Sequence, residues 1–302
     1  MQNDQDDYDV FLQTWKPSAQ LDQATLPQYL FDPVLRNRVL SDQSGDAAAK
    51  RTDYVKGKKT LDSGEQRARA YDFFCEKQSE WAAEFCDYLL SGGVPTTKID
   101  VYINSFVSHW VDGKKRRQDS PEMLSIKASI RDFDRHHAKD SARFVANPVD
   151  ESTEALFLPD EMRVVFDANN GLISSFLPDY IEALGEEQLV ASLDDLHARR
   201  GVYMPALADN IRRELNYLSS YSLALGPVEQ FAQTFTSDTK TKGIAMIFSA
   251  PITTLQDRVV AFAPFVCGMD ISQLELVIAP PVSPSILQDN GVHGGIHEYS
   301  FT

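Results

Sequence analysis

Ready-made catalytic signatures are missing from this chain of 302 residues: it contains no GxxxxGK[ST] phosphate loop, no GxGxxG turn, no GxSxG elbow and no HExxH helix. Cysteine is scarce, at three, and without a CxxC pair it supplies neither a disulfide framework nor a paired thiolate metal site. Cys75 and Cys86, on one expected helix, would stand about 16 Å apart and cannot bond. They and Cys267 read as buried or half-buried free thiols.

No apolar run reaches the ~20 residues of a membrane-spanning helix. The best stretch, 243 to 268, is interrupted by Pro251, Gln256, Asp257, Arg258 and Pro264. The start, MQNDQDDYDVF, carries four aspartates and no apolar core, unlike a secretory signal. A cytoplasmic setting without a membrane partner is expected. Basic residues are few, 29 against 44 acids, and the net charge of -15 excludes a surface that clings everywhere to nucleic acid or anionic lipid.

What is present is ordinary globular material, 43% hydrophobic and 24% charged, enough for one large or two modest domains. Residues 1–60 are polar and proline-punctuated, an extended arm suited to reaching a neighbour. Ser63 and Gln66 at capping-box spacing, with Gly92 and Gly93 as a stop, bound a long helix. Along it Tyr71, Phe74, Trp81, Phe85 and Tyr88 recur at steps of three, four and seven, a stripe that either enters the core or receives a partner. Ile99, Ile103, Phe106, Val107 and Trp110 continue with helical period from Thr97, although their β-branched content leaves a strand open. Ser120 and Pro121 open another helix, and Pro148 suggests a boundary, giving regions 61–148 and 149–302 that can pack as one unit.

Beyond it, EMRVVF and LISSFLP flank DANNG, and the Asn170-Gly171 step predicts a β-hairpin. VVFDANNGLI also resembles the first motif of haloacid-dehalogenase-like phosphatases, but Asn169 stands where a second acid belongs and Asn170 is an extra residue. The turn explains the segment better. Helices are expected at 179–200, ending in Arg199, Arg200 and Gly201, at 205–224, and briefly at PVEQFAQTF. Four strands follow: GIAMIFSAPI, RVVAFAPFV, LELVIAPP and GIHEYSF, the first three apolar enough for burial on both faces. The expected class is α+β, with a helix-rich N-terminal half and a C-terminal, mainly antiparallel sheet.

Three groups of residues carry candidate chemistry. Lys50, Arg51, Lys56, Lys58 and Lys59, with Lys114, Lys115, Arg116 and Arg117, concentrate nine of the 29 bases in two loops that could hold phosphate or an acidic partner. His136 and His137, beside Asp132, Asp134 and Asp140, and His293 are candidate acid-base groups. His293 and His297 share zinc-ligand spacing on a helix, yet Gly294 and Gly295 between them favour a turn, so no metal site and no cofactor is expected. The arm, the aromatic stripe and the segregated charge together point to a non-catalytic assembly protein that binds other proteins, copies of itself first. The alternative is an enzyme or binder of nucleotides or nucleic acid working through the two basic loops.

Overall fold

A computed structural model describes residues 61–110, 120–137, 149–184, 197–204, 218–223, 228, 232, 243–269, 271, 274–280, 286–293 and 296–301. The first helix, α1 (Leu61–Ser91), begins before Ser63, which lies inside it rather than capping it. Its end follows the sequence. Gly93 takes a φ of 85°, and Val94 and Gly93 donate to the carbonyls of Leu89 and Leu90, each at 3.0 Å, so a left-handed residue closes the last turn.

Helix α2 (Thr96–Asn104) starts after Pro95 and widens into π-helical turns over Ser105–Trp110, so the helical reading of this segment holds over the strand. In α3 (Pro121–His137), Ser120 Oγ accepts the Met123 amide at 3.2 Å, the cap expected from sequence.

The expected hairpin at Asn170-Gly171 is instead the middle of one helix, α4 (Pro159–Leu184). Met162, Val165, Phe166, Ile173, Phe176 and Leu177 are all buried and recur at three and four, a helical period that outweighs a local turn signal. Asn169 supplies no positive φ. Its side-chain amide donates to Val165 O at 2.9 Å and, across the core, to Val260 O at 3.2 Å. Glu161 Oε2 accepts the Leu158 amide at 2.7 Å at the helix start and Lys98 Nζ at 2.6 Å from α2.

Among the described residues the sheet has seven strands: β1 (His197–Met204), β2 (Ser219–Ser222), β3 (Ile244–Pro251), β4 (Val259–Phe262), β5 (Glu275–Ile278), β6 (Leu287–His293) and β7 (Ile296–Phe301). Their order is β4-β5-β2-β1-β3-β7-β6. Only β3 and β7 run parallel; the other described pairings are antiparallel. The α+β class with a mainly antiparallel C-terminal sheet is therefore correct. The helices expected over 179–200 and 205–224 are overturned where the structure describes them, because β1 holds Arg199, Arg200 and Gly201 in mid-strand and β2 occupies Ser219–Ser222. Strand pairing on both sides of β1 overrides the stop-signal reading of those residues.

Helices and sheet share one apolar core, running from Trp81 on α1 to Phe301 on β7. Trp81 meets Phe176 edge-on at 5.1 Å between ring centroids, and Phe176 meets Phe262 of β4 at 4.9 Å. The Trp81–Phe176 contact and the close approach of Gly92 to Val164 set α1 antiparallel to α4. A bulge between Val259 and Ala261 in β4 turns Val260 O toward the helices, where Tyr102 Oη donates to it at 2.7 Å. Nearby, buried Arg258 donates to both carboxylate oxygens of Asp134, at 2.8 and 2.9 Å, and twice to Pro280 O, so α3 is tied to the sheet by a paired charge. No helix among the described residues is long and apolar enough to cross a membrane.

Candidate functional site

The residues singled out from sequence do not gather at one place. Both basic groups, Lys50 to Lys59 and Lys114 to Arg117, lie outside the described residues. Tyr71 and Phe74 fall on the described backbone of α1, whereas Trp81 and Phe85, 7% and 0% exposed, are core. Phe85 packs between Tyr102 and Phe265, at 5.8 and 6.3 Å. Those two rings therefore offer no surface to a partner, whereas Tyr88, 45% exposed, faces solvent. Cys86 is half-buried, whereas Cys267, against expectation, is exposed.

His136 and His137 end α3, both exposed, with ring centroids 4.7 Å apart. His137 packs at a tilt against Phe133, with ring centroids 4.5 Å apart, and Arg163 Nη2 lies 2.9 Å from its Nδ1. Partial desolvation, then the charges of Arg163 and His136, lower its pKa despite Asp160 and Asp134. It is a solvent-edge histidine whose contacts are aromatic and cationic, Phe133, His136 and Arg163.

The C-terminal histidines are settled by register. His293 stands opposite Ile296 and His297 opposite Val292, adjacent rungs of the β6–β7 ladder. Successive rungs alternate between the two faces of a sheet, so the two positions do not converge on one ion. His297 instead pairs with Asp289, Nε2 to Oδ1 2.7 Å, and stacks on Tyr299 at 4.5 Å. Among the described residues no group of three or more histidine, cysteine, aspartate or glutamate side chains could hold a metal.

A different cluster emerges from the pairing of the central strands. Glu275 of β5 faces Ser222 of β2, Ser222 faces Arg199 of β1, Arg199 faces Ser249 of β3, and Ser249 faces Ser300 of β7. Residues opposite one another share a face, so five neighbouring strands lay one polar row across the sheet. His197, two residues before Arg199, and Glu298, two before Ser300, extend that face. The row is interior: Arg199 is 0%, Ser249 1% and His197 2% exposed.

At one end, Trp110 Nε1 donates to Ser220 Oγ at 3.1 Å and Glu275 Oε1 at 2.9 Å, and Ser220 Oγ donates to the same carboxylate oxygen. In the middle, Gly201 gives the room that lets a helix lie on the strand: a Cβ there would come within 1.9 Å of Val228 O. Burial, then repulsion from Arg199, pushes the His197 pKa down to about 3, so its ring is neutral at pH 7. Ser249 Oγ and His197 Nδ1 have no hydrogen-bond partner among the described residues. They are thus not an assembled nucleophile and base, which would bond to each other.

This row is hidden in the sequence because Arg199-Arg200-Gly201 has the pattern of a helix end. The signals were lone polar residues in apolar strands: Ser249 in GIAMIFSAPI and Glu275 in LELVIAPP. Compared with protein-family models, curated proteins and solved structures, the chain matches none.

Proposed function

We propose that this chain is a non-catalytic assembly protein that associates with copies of itself through the N-terminal part of α1. The observation that supports this is the mismatch between two antiparallel helices. Trp81 sits level with Phe176 and Gly92 with Val164, so position 72 falls level with Leu184, the last residue of α4. Residues 61–71 therefore carry α1 roughly 16 Å past its helical neighbour at 1.5 Å per residue. The aromatic spacing that fills the core through Trp81 and Phe85 continues in the sequence through Phe74 and Tyr71 into that overhang.

Charge favours a second copy as the occupant. Asp62, Glu65 and Asp72 flank Arg67 and Arg69, a nearly balanced stretch within a chain of net charge -15. Two such segments laid antiparallel bring arginines against acids and make a self-complementary two-fold contact. Light scattering on a Tyr71→Ser, Phe74→Ser variant tests this. The assembly mass falls to that of one chain while thermal stability is kept; an unchanged mass would remove these residues from the interface.

A further inference from the structure

We propose that the corner of the buried row formed by His197, Arg199 and Ser249 binds one small oxyanion of the carboxylate or phosphate class. The corner is built from rigid, paired backbone. Arg199 and Ser249 share a rung between β1 and β3, and His197 lies one same-face position along β1, opposite Pro251. Three side chains able to donate hydrogen bonds to oxygen, a guanidinium, a hydroxyl and an imidazole N–H, therefore open onto one patch of sheet. Ser222, on the other side of Arg199 in the same rung, adds a fourth.

Two of these groups are without hydrogen-bond partners among the described residues: Ser249 Oγ and His197 Nδ1 are buried, on side chains 1% and 2% exposed. A native interior rarely leaves such atoms unmet, and each one calls for an explanation by water, an ion or a ligand. The local charge selects the ligand's sign. Arg199 is part of the corner, whereas Glu275 of β5 is two strands away from it on one side, about 10 Å at the spacing of paired strands. Glu298 of β7 is one strand beyond Ser249 on the other side, two strands from Arg199, and is displaced toward Gly201, away from His197. The charged groups on the His197 face are thus Arg199, one same-face position along the same strand, with Glu298 and Glu275 each two strands from β1. An oxyanion in the corner meets a guanidinium first.

The test uses the full chain, titrated calorimetrically with inorganic phosphate and separately with acetate, beside thermal melts in matched sodium chloride. One of the two anions binds with a stoichiometry of one per chain and raises the melting midpoint saturably. Ser249→Ala weakens that binding at least tenfold while leaving the anion-free midpoint unchanged or higher, because it deletes a buried hydroxyl that has no partner to lose. Failure of both anions to bind, or an equal rise in chloride, would overturn the proposal. So would unaltered binding by Ser249→Ala, or a lower anion-free midpoint, which would place the hydroxyl in a structural network instead.

Discussion

Removing the Asp134 carboxylate isolates a charge that the fold has buried. Arg258 is 7% exposed and donates to both oxygens of Asp134 at 2.8 and 2.9 Å, while its Nε and Nη2 also reach Pro280 O at 3.0 and 2.7 Å. Asp134→Ala keeps the guanidinium inside with one carbonyl and the face of Phe166 to meet it, and breaking one side of a buried pair costs about 3 to 5 kcal/mol. That is a large share of the ~5 to 15 kcal/mol by which domains are stable. The partner change should behave differently. Asp134→Leu with Arg258→Met removes both charges together, so the remaining penalty is mainly the unmet Pro280 carbonyl, about 1 to 3 kcal/mol. Urea unfolding followed by tryptophan fluorescence gives both numbers from the transition midpoint at constant slope. A single substitution costing under about 1 kcal/mol, or a double variant less stable than Asp134→Ala, would refute the reasoning.

Three further outcomes follow from other parts of the core. His197 has its pKa lowered to about 3 in the fold, so the unfolded chain binds the extra proton first as pH falls. Its contribution is present above about pH 6.5 and lost as pH falls toward 3, roughly 1.4 kcal/mol per pH unit within that window. His197→Gln should accordingly flatten the stability profile between pH 6 and 4.5 by about one proton; an identical slope would mean the ring is not buried neutral. Gly201→Ala drives a Cβ to within 1.9 Å of Val228 O, backbone that cannot rotate away. It should lower stability by about 1 to 3 kcal/mol or more in a urea melt, and a neutral result would separate the helix from the strand. Trp81→Ala opens a cavity beside Phe176 and should cost about 3 to 5 kcal/mol without changing the mass of the folded assembly measured by light scattering.

Elements marked by period and punctuation were readable in the sequence. The end of α1 at Gly93, the Ser120 cap of α3 and the buried apolar strands β3, β4 and β5 rest on local chemistry that the fold keeps. The error at α4 arose from weighing an Asn-Gly turn above a spacing that was present throughout, Met162 to Leu177, and that tertiary packing rewards. The polar row was harder to see. His197 and Arg199 do not alternate with apolar residues in the way a strand with one wet face does, because their face is covered by a helix at Gly201. Their neighbours Ser222 and Ser249 come from strands separated in sequence, and only register places them side by side.

Self-association through the overhang of α1 carries the proposed function. Its most direct test is the light-scattering mass of the unaltered full chain across a concentration series, at low and high salt, with and without added RNA. A discrete multiple of the 33.9 kDa chain that persists at high salt and ignores RNA is the expected result. A single-chain mass at every concentration, or one that grows only with RNA at low salt, would contradict it.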